Sequence, residues 1–344
     1  MQLPADTMLT ALRAVGEETR LRIVSLLQHG ELTVSDLTDI LGQSQPRISR
    51  HLKLLAEAGV VDKHREGTWA FFELATHGAI GELIGDVLAH TDDHDPVLAA
   101  DLDRLAVARQ RRASQAQEYF TAVAERWDEV RSLHAADETV EAAMDEMLGG
   151  TDYRTVLDLG TGTGRMLQLF GDDPAVTRAV GLDSSHSMLA VARANLERSE
   201  VRRVDLRQGD VYSPPFEPES FDLVVIHQVL HFLDDPGRAV REAARLLSPN
   251  GKLLIVDFAP HALEFLRTDH AHRRLGFASE VVDAWLEQAG LEVTASRTIA
   301  PVNGDSPDAT SGEWLTVSLW LASDRREADT DEAATETEVE ASWN

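Results

Sequence analysis

The segment TVLDLGTGTG, residues 155–164, is the most informative stretch for the fold. It begins as a short, mainly apolar run and ends with glycines at 160, 162 and 164. This pattern predicts a buried strand followed by a glycine-rich turn and a helix, so that the turn backbone can approach a ligand closely. A phosphate-binding P-loop does not fit, because Arg165-Met166 stands where that motif needs Gly-Lys-Ser/Thr. The NAD fingerprint does not fit either, because its third glycine would fall at position 165.

Strands and helices alternate on the C-terminal side of this segment. Six further candidate strands are RAVGLD, VDLRQGD, FDLVVIH, KLLIVDF, LEVTASRTI and EWLTVSLWLA. The alternation predicts an α/β sheet of seven strands. Asp183 ends the second strand, where a carboxylate can accept both hydroxyls of a ribose. Asp210 ends the third, where the carboxylate or the neighbouring amide can bind an adenine amino group.

Taken in this order, residues 150–322 resemble the class I S-adenosylmethionine-dependent methyltransferases, which have a Rossmann-like fold. The resemblance implies that S-adenosylmethionine or S-adenosylhomocysteine is the ligand and that Asp183 binds its ribose. It implies further contacts for Asp158, Gly160, Gly162 and Gly164 with the methionine part, for Met188, Asp210 and Val211 with the adenine, and for His227 and Gln228 beside the sulfonium. Burial in a plain hydrophobic core is the alternative interpretation of Met188.

Whether this half transfers a methyl group is left open by the residues. Transfer from a sulfonium is an in-line displacement that depends mainly on positioning, and a base is needed only where the acceptor must lose a proton. Five histidines are candidate bases, namely His227, His231, His261, His270 and His272, and the catalytic role is assigned to His227 and His231. The other three lie in PHALEFLRTDHAHRRLGF, residues 260–277, after the fifth strand. That segment is predicted to contact a substrate, or else to form a charged lid or a dimer contact.

The first 90 residues have the pattern of short amphipathic helices followed by a hairpin. The helix SQPRISRHLKLL begins with small and polar residues and continues with apolar residues every three or four positions, as a helix that enters a DNA groove requires. The donors on it able to reach base edges or phosphates are Gln45, Arg47, Ser49, Arg50 and His51. Residues 43–66 hold five basic and three acidic residues in a chain of net charge −27. A small helical bundle with solvated arginines is the alternative.

The stretches TRLRIVSLL and SQPRISRHLKLLAEAGVV, with the hairpin behind them, resemble the winged-helix domain of ArsR-type transcriptional repressors. The resemblance implies a homodimer that binds a pseudo-palindromic double-stranded operator, with Lys63, His64 and Arg65 near the DNA backbone. Many metal-sensing members have two cysteines where this chain has Thr33 and Ser35, whose hydroxyls are poor ligands for soft metals.

The chain has no cysteine. Disulfides and thiolate metal sites are therefore excluded, and arsenite methylation, which ordinarily depends on thiolates, is not expected. A residual zinc candidate is the cluster Asp86, His90, Asp92, Asp93 and His94, but a solvated helix end is the favoured interpretation. We expect no metal.

The 344 residues are predicted to form several units. These are an α+β winged helix-turn-helix at 1–90, a helical linker or dimerisation segment at 91–148, the methyltransferase domain at 149–323, and a disordered acidic tail at 324–344. The net charge excludes a protein whose whole surface binds nucleic acid or anionic lipid. Because neither a signal peptide nor an apolar stretch of about 18 residues is present, we expect a cytoplasmic protein without membrane contact.

Two functions follow from these expectations. In the first, the chain is a repressor whose methyltransferase-like domain senses S-adenosylmethionine or S-adenosylhomocysteine and so controls genes of methyl-group metabolism. In the second, that domain is an active methyltransferase for a small molecule, and the DNA-binding half regulates its own operon. Both functions need the same ligand-binding residues.

Overall fold

The structure is a computed structural model. It describes residues 3–66, 69–75, 78–92, 94–124, 137–149, 153–199, 204–300 and 315–324. The predicted acidic tail beyond Asp324 and the residue Asp93 of the zinc candidate lie outside the described residues. No helix within these ranges has the length and apolar character needed to cross a bilayer.

The N-terminal elements form a winged helix-turn-helix, as predicted. They are α1 (Ala5–Val15), α2 (Glu18–Leu27), β1 (Leu32–Thr33), α3 (Val34–Leu41), α4 (Gln45–Glu57), β2 (Val61–Glu66) and β3 (Trp69–Leu74). The hairpin strands β2 and β3 pair in antiparallel fashion, and the two-residue β1, for which the sequence has no strand signal, pairs with β3. The apolar faces of the helices meet in one core in which Ile23, Leu37, Ile48 and Leu52 are fully buried.

The start of α3 is fixed by a reciprocal cap. The Thr33 hydroxyl accepts the N–H of Asp36 at 3.1 Å, and the Asp36 carboxylate accepts the N–H of Thr33 at 3.0 Å. Gly42 ends α3 in the left-handed region, with φ of 63°. Three residues then separate α3 from α4, and the two helices pack against each other.

Three helices connect the winged helix to the sheet. They are α5 (Gly78–Ala89), α6 (Pro96–Val123) and α7 (Asp137–Leu148). The Asp95 side chain caps α6 by accepting the N–H groups of Val97 and Leu98. α6 packs against α2 and α3, and Arg22 of α2 forms a two-bond ion pair with the buried Asp101 of α6, at 2.6 and 2.8 Å.

The C-terminal half is the predicted Rossmann-like class I methyltransferase fold. Its elements are β4 (Thr155–Leu159), α8 (Arg165–Gly171), β5 (Arg178–Asp183), α9 (His186–Arg198), β6 (Val204–Gln208), β7 (Phe221–His227), α10 (Pro236–Leu246), β8 (Leu247–Phe258), α11 (Phe265–Asp269), α12 (Ser279–Gln288), β9 (Leu291–Ile299) and β10 (Val317–Asp324). The seven strands lie in the order β6-β5-β4-β7-β8-β10-β9, and β10 is antiparallel to both neighbours. Helices cover both faces, with Leu167 of α8 in one core and Val240 of α10 in the other.

Candidate functional site

A cavity of about 930 Å³ lies at the carboxyl ends of β4, β5 and β7. In the sheet, β5 lies on one side of β4 and β7 on the other, so the strand order reverses at β4. Open α/β sheets bind ligands beside such a reversal. The inner wall contains the predicted ligand contacts Asp158, Gly160, Gly162, Asp183, Met188, Asp210, Val211, His227 and Gln228. The structure thus brings most of the predicted set to one place.

Gly160 and Gly164 of the turn have different structural roles. Gly160 has φ of 81°, and a Cβ on it would lie 2.5 Å from Val229 Cγ2, so only glycine fits between the turn and the segment after β7. Gly164 is not among the cavity-lining residues. It is the N-cap residue of α8, and a Cβ there would lie 3.2 Å from the Cβ of Ala192 in α9, so it allows the two helices to pack closely. For Gly164 the structure therefore supports a packing role.

Two carboxylates, the buried Asp158 and the half-buried Asp183, hold the inner wall together. Asp158 accepts the Thr161 hydroxyl at 2.6 Å, and burial raises its pKa to about 7 although that hydrogen bond acts in the opposite direction. Asp183 accepts the N–H groups of Gly162 and Ser185, each at 2.8 Å, and burial also raises its pKa. Each carboxylate oxygen of Asp183 has one backbone partner and keeps acceptor capacity, so both can accept further hydroxyls.

The predicted adenine contacts lie on the β5–β6 side of the cavity. Met188 is 2% exposed and lies in the first turn of α9, where its backbone N–H donates to the Ser185 hydroxyl. Asp210 lies two residues beyond β6 and accepts the N–H of Tyr212 at 2.9 Å, and Val211 is half-buried. On this side the cavity is therefore lined by two apolar side chains, Met188 and Val211, and one carboxylate, Asp210.

The two predicted catalytic histidines occupy different positions. His227 ends β7 and lines the cavity, next to Gln228, which has φ of 55° and donates its N–H to the Val256 carbonyl. His231 is 2% exposed and is not among the lining residues. Its Nδ1 lies 2.8 Å from Asp257 Oδ1 in the core, so His231 lies behind the wall rather than at it.

The outer wall of the cavity comes from parts of the chain outside those motifs. Trp69 of β3, one face of α6 and residues within 267–273 close over the inner wall. Phe120 of α6 meets Phe232 edge to face, with ring centroids 4.9 Å apart. The Arg267 guanidinium lies over the Trp69 ring, 4.5 Å from its centroid. The segment predicted to contact a substrate or act as a lid therefore touches both the cavity and the winged helix.

The predicted DNA-binding surface lies on α4 and the wing. Gln45, Arg47, Ser49 and Arg50 are exposed. His51 is half-buried, with Nδ1 3.5 Å from the Glu17 carboxylate that caps α2, and burial lowers its pKa. Lys63 is exposed on β2, with its ammonium 5.6 Å from the centre of the Phe72 ring. The side chains of His64 and Arg65 lie outside the described part of the structure.

Two family models match these two regions. One, described as a bacterial regulatory protein of the arsR family, matches residues 17–63. The other, described as a methyltransferase domain, matches residues 157–255. The chain joins an ArsR-type domain to a class I methyltransferase domain.

Known proteins resemble each half separately. The arsenical resistance operon repressor of Escherichia coli K12 is 48% identical over 66 residues, which are 19% of this chain and 56% of that protein. The uncharacterized methyltransferase YcgJ of Bacillus subtilis is 37% identical over 106 residues, 30% of this chain and 41% of that protein. The chain spans 36% to 62% of the length of the first curated relatives it matches.

A solved structure resembles the methyltransferase half in fold. One chain of a complex between the Haloferax volcanii Trm112 methyltransferase activator and a protein described as a methyltransferase gives a TM-score of 0.50 at 23% identity. The match covers 60% of this chain and 98% of that chain. It supports the fold alone. Within the described ranges, no group of three or more metal-ligating side chains is placed to hold a metal ion.

Proposed function

We propose that this chain is a DNA-binding transcriptional regulator, acting as a repressor, whose methyltransferase domain senses S-adenosylmethionine or S-adenosylhomocysteine. A homodimer binds its operator through α4 and the wing. Ligand in the cavity changes the affinity of the dimer for DNA, so that transcription follows the state of the methyl cycle.

The observation that carries this proposal is that one cavity has walls from both halves of the chain. Its inner wall holds Asp183 and the glycine turn, and its outer wall holds Trp69 of the wing strand and a face of α6. α6 packs in turn against α2 and α3 of the winged helix. A ligand alters operator occupancy only as far as it binds the free and DNA-bound forms unequally. A ligand that touches both halves meets this condition if DNA binding moves one half against the other.

The inner wall fits the proposed ligands. The positive φ of Gly160 and its contact with Val229 form a cradle that a Cβ would fill. Asp158 and this turn would hold the methionine part, and Asp183 the ribose hydroxyls. Asp210 would meet the adenine edge. Bound S-adenosylmethionine supplies an electrophilic methyl group on a cationic sulfur, and S-adenosylhomocysteine lacks both the methyl group and the charge.

The winged helix has the surfaces that a dimeric DNA-binding protein needs. Arg47 and Arg50 project from α4 into solvent, where they can meet phosphates or base edges. On α1, Met8, Leu9 and Leu12 are 38% to 47% exposed, which is an apolar face suited to a second copy of this chain.

The test is fluorescence anisotropy on a labelled duplex from the region upstream of the gene, at one stated salt concentration, with each ligand titrated separately. We expect at least one ligand to change the dissociation constant for DNA about fivefold or more. Binding of both ligands, measured by calorimetry, without any change in DNA affinity would contradict the sensing function. Turnover of S-adenosylmethionine with a methyl acceptor would then be measured to test the enzyme hypothesis.

A further inference from the structure

Four charged side chains form a closed network between the winged helix and the methyltransferase domain. Arg112 Nη1 lies 2.6 Å from Asp36 Oδ1, and Arg112 Nε lies 3.3 Å from Asp234 Oδ1. Arg273 Nη2 lies 3.4 Å from Asp36 Oδ2, and its Nε is paired with Asp234 Oδ1. The two arginines and two aspartates balance in charge, and each side chain is at most 22% exposed.

One member of this network belongs to the helix-turn-helix. Asp36 is the capping residue in the first turn of α3, and three residues separate α3 from α4. Arg112 is on α6, and Asp234 and Arg273 belong to the methyltransferase domain. The network therefore ties the start of α3 to two other parts of the molecule.

The other three members line the cavity. Arg112, Asp234 and Arg273 are all among its lining residues, and Asp36 is not. The backbone N–H of Arg273 donates to the His231 carbonyl at 2.8 Å, which anchors Arg273 to the turn that follows Gln228 and Val229. That turn packs against Gly160 of the ligand-binding glycine loop. A ligand in the cavity would therefore lie against the same segments that position the network.

The electrostatics favour a network that rearranges as a unit. Burial alone would raise the pKa of Asp36, but the guanidinium groups of Arg273 and Arg112 and the cap of α3 hold it below its ordinary value. Buried charges tolerate the loss of a partner poorly, because the remaining ion is left without compensation. Movement of one arginine toward a ligand therefore changes the balance at Asp36 as well.

We propose that the network of Asp36, Arg112, Asp234 and Arg273 is the link through which ligand occupancy of the cavity changes the position of α3 and α4 on DNA. This inference rests on the proposed sensing function and assigns that function to particular residues. Asp36 is the informative position for mutation. It belongs to the network but does not line the cavity, and it is largely buried on α3, away from the exposed DNA-binding side chains of α4.

The experiment compares the full-length wild type with Asp36→Asn. Asn keeps the size of the side chain and an acceptor oxygen for the cap of α3, but it removes the charge that both arginines require. Glu31→Gln is the matched control, since Glu31 accepts a hydrogen bond from Arg274 at 2.6 Å across the same interface and does not line this cavity. For each protein the affinity for the upstream duplex is measured without ligand and at saturating S-adenosylmethionine or S-adenosylhomocysteine.

We expect the ligand to change the DNA affinity of wild type and Glu31→Gln about fivefold or more, and that of Asp36→Asn by less than about twofold. Calorimetry should show that Asp36→Asn still binds the ligand. If Asp36→Asn does not fold, Arg112→Gln, which leaves the cap of α3 intact, is measured at saturating ligand with the same expectation.

Three results would overturn the inference. An Asp36→Asn response equal to that of wild type means that the signal takes another route. Loss of the response in Glu31→Gln as well means that the whole interface, rather than this network, carries it. Absence of any response in wild type removes both this inference and the sensing function, whereas the first two results remove the inference alone.

Discussion

Replacement of Asp183 by alanine tests the ligand site most sharply. The Asp183 carboxylate accepts the N–H groups of Gly162 and Ser185 at 2.8 Å each, and it lines the cavity at the end of β5. Both partners belong to the methyltransferase domain. Asp183→Ala should therefore remove ligand binding and leave DNA binding largely intact.

The size of the effect follows from the hydrogen bonds that would be lost. A hydrogen bond to a charged group contributes about 1.5–3 kcal/mol, so two ribose hydroxyls would account for at least about 3 kcal/mol. Since about 1.4 kcal/mol corresponds to a tenfold change in affinity, we expect S-adenosylhomocysteine to bind at least about 100-fold more weakly. Asp183→Asn keeps one acceptor oxygen and should lose roughly tenfold.

The assay is isothermal titration calorimetry with S-adenosylhomocysteine, accompanied by anisotropy on the upstream duplex. Circular dichroism checks that both variants are folded. Binding of the ligand to Asp183→Ala within about threefold of wild type would refute the assignment of Asp183 to the ribose. Loss of DNA binding in a folded Asp183→Ala would refute the separation of the two surfaces.

Three further predictions concern the turn, the buried acid and the DNA surface. Because burial raises the pKa of Asp158 to about 7 from 3.8, its stabilising contribution is full below the lower value and is lost as the pH rises through the higher one. In urea titrations the unfolding free energy of the wild type should therefore fall across this pH window relative to that of Asp158→Asn, by on the order of 1 kcal/mol per pH unit. Parallel plots of unfolding free energy against pH for the two proteins would contradict this. Gly160→Ala should lower both the melting temperature and the affinity for S-adenosylhomocysteine, because φ of 81° costs alanine about 1–2 kcal/mol and its Cβ would lie 2.5 Å from Val229. Adding Val229→Ala should restore only the share of the lost melting temperature that is due to the clash. An unchanged melting temperature in Gly160→Ala alone would contradict this prediction. Arg50→Ala should weaken binding to the upstream duplex roughly tenfold and leave ligand affinity unchanged, with the exposed Arg193→Ala as control. Equal DNA affinity of wild type and Arg50→Ala would remove Arg50 from the recognition surface.

The sequence predicts the fold well, because local patterns carry it. The glycine turn at 155–164 and the alternation after it place the strands, and β9 has the predicted bounds, residues 291–299. β8 begins at Leu247, five residues before the predicted KLLIVDF. Leu247 pairs with Phe221, and the pairing register then shifts before Leu223. Because of this shift, the first residues of β8 have no regular alternation that the sequence could show. β1 has two residues, too few for any periodic signal.

The candidate site has one part that the sequence predicts and one that it does not. The inner wall consists of motif residues at strand ends, where topology brings side chains together, and those were predictable. The outer wall was not, because it depends on contacts between distant segments: Asp36 and Arg273 are 237 residues apart. The two histidines also could not be told apart from the sequence, which gives His227 and His231 the same predicted role. Only the packing of the folded chain shows that His231 lies beside Asp257.

The most direct test of the sensing account is a calorimetric titration of S-adenosylhomocysteine and S-adenosylmethionine into the protein, free and saturated with the upstream duplex. Coupling between two sites is reciprocal, so DNA must change the ligand dissociation constant by the same factor by which the ligand changes the DNA dissociation constant. We predict a change of about fivefold or more for the effector ligand, equal within error to the factor from anisotropy. Identical ligand dissociation constants with and without DNA, for both ligands, would contradict the account.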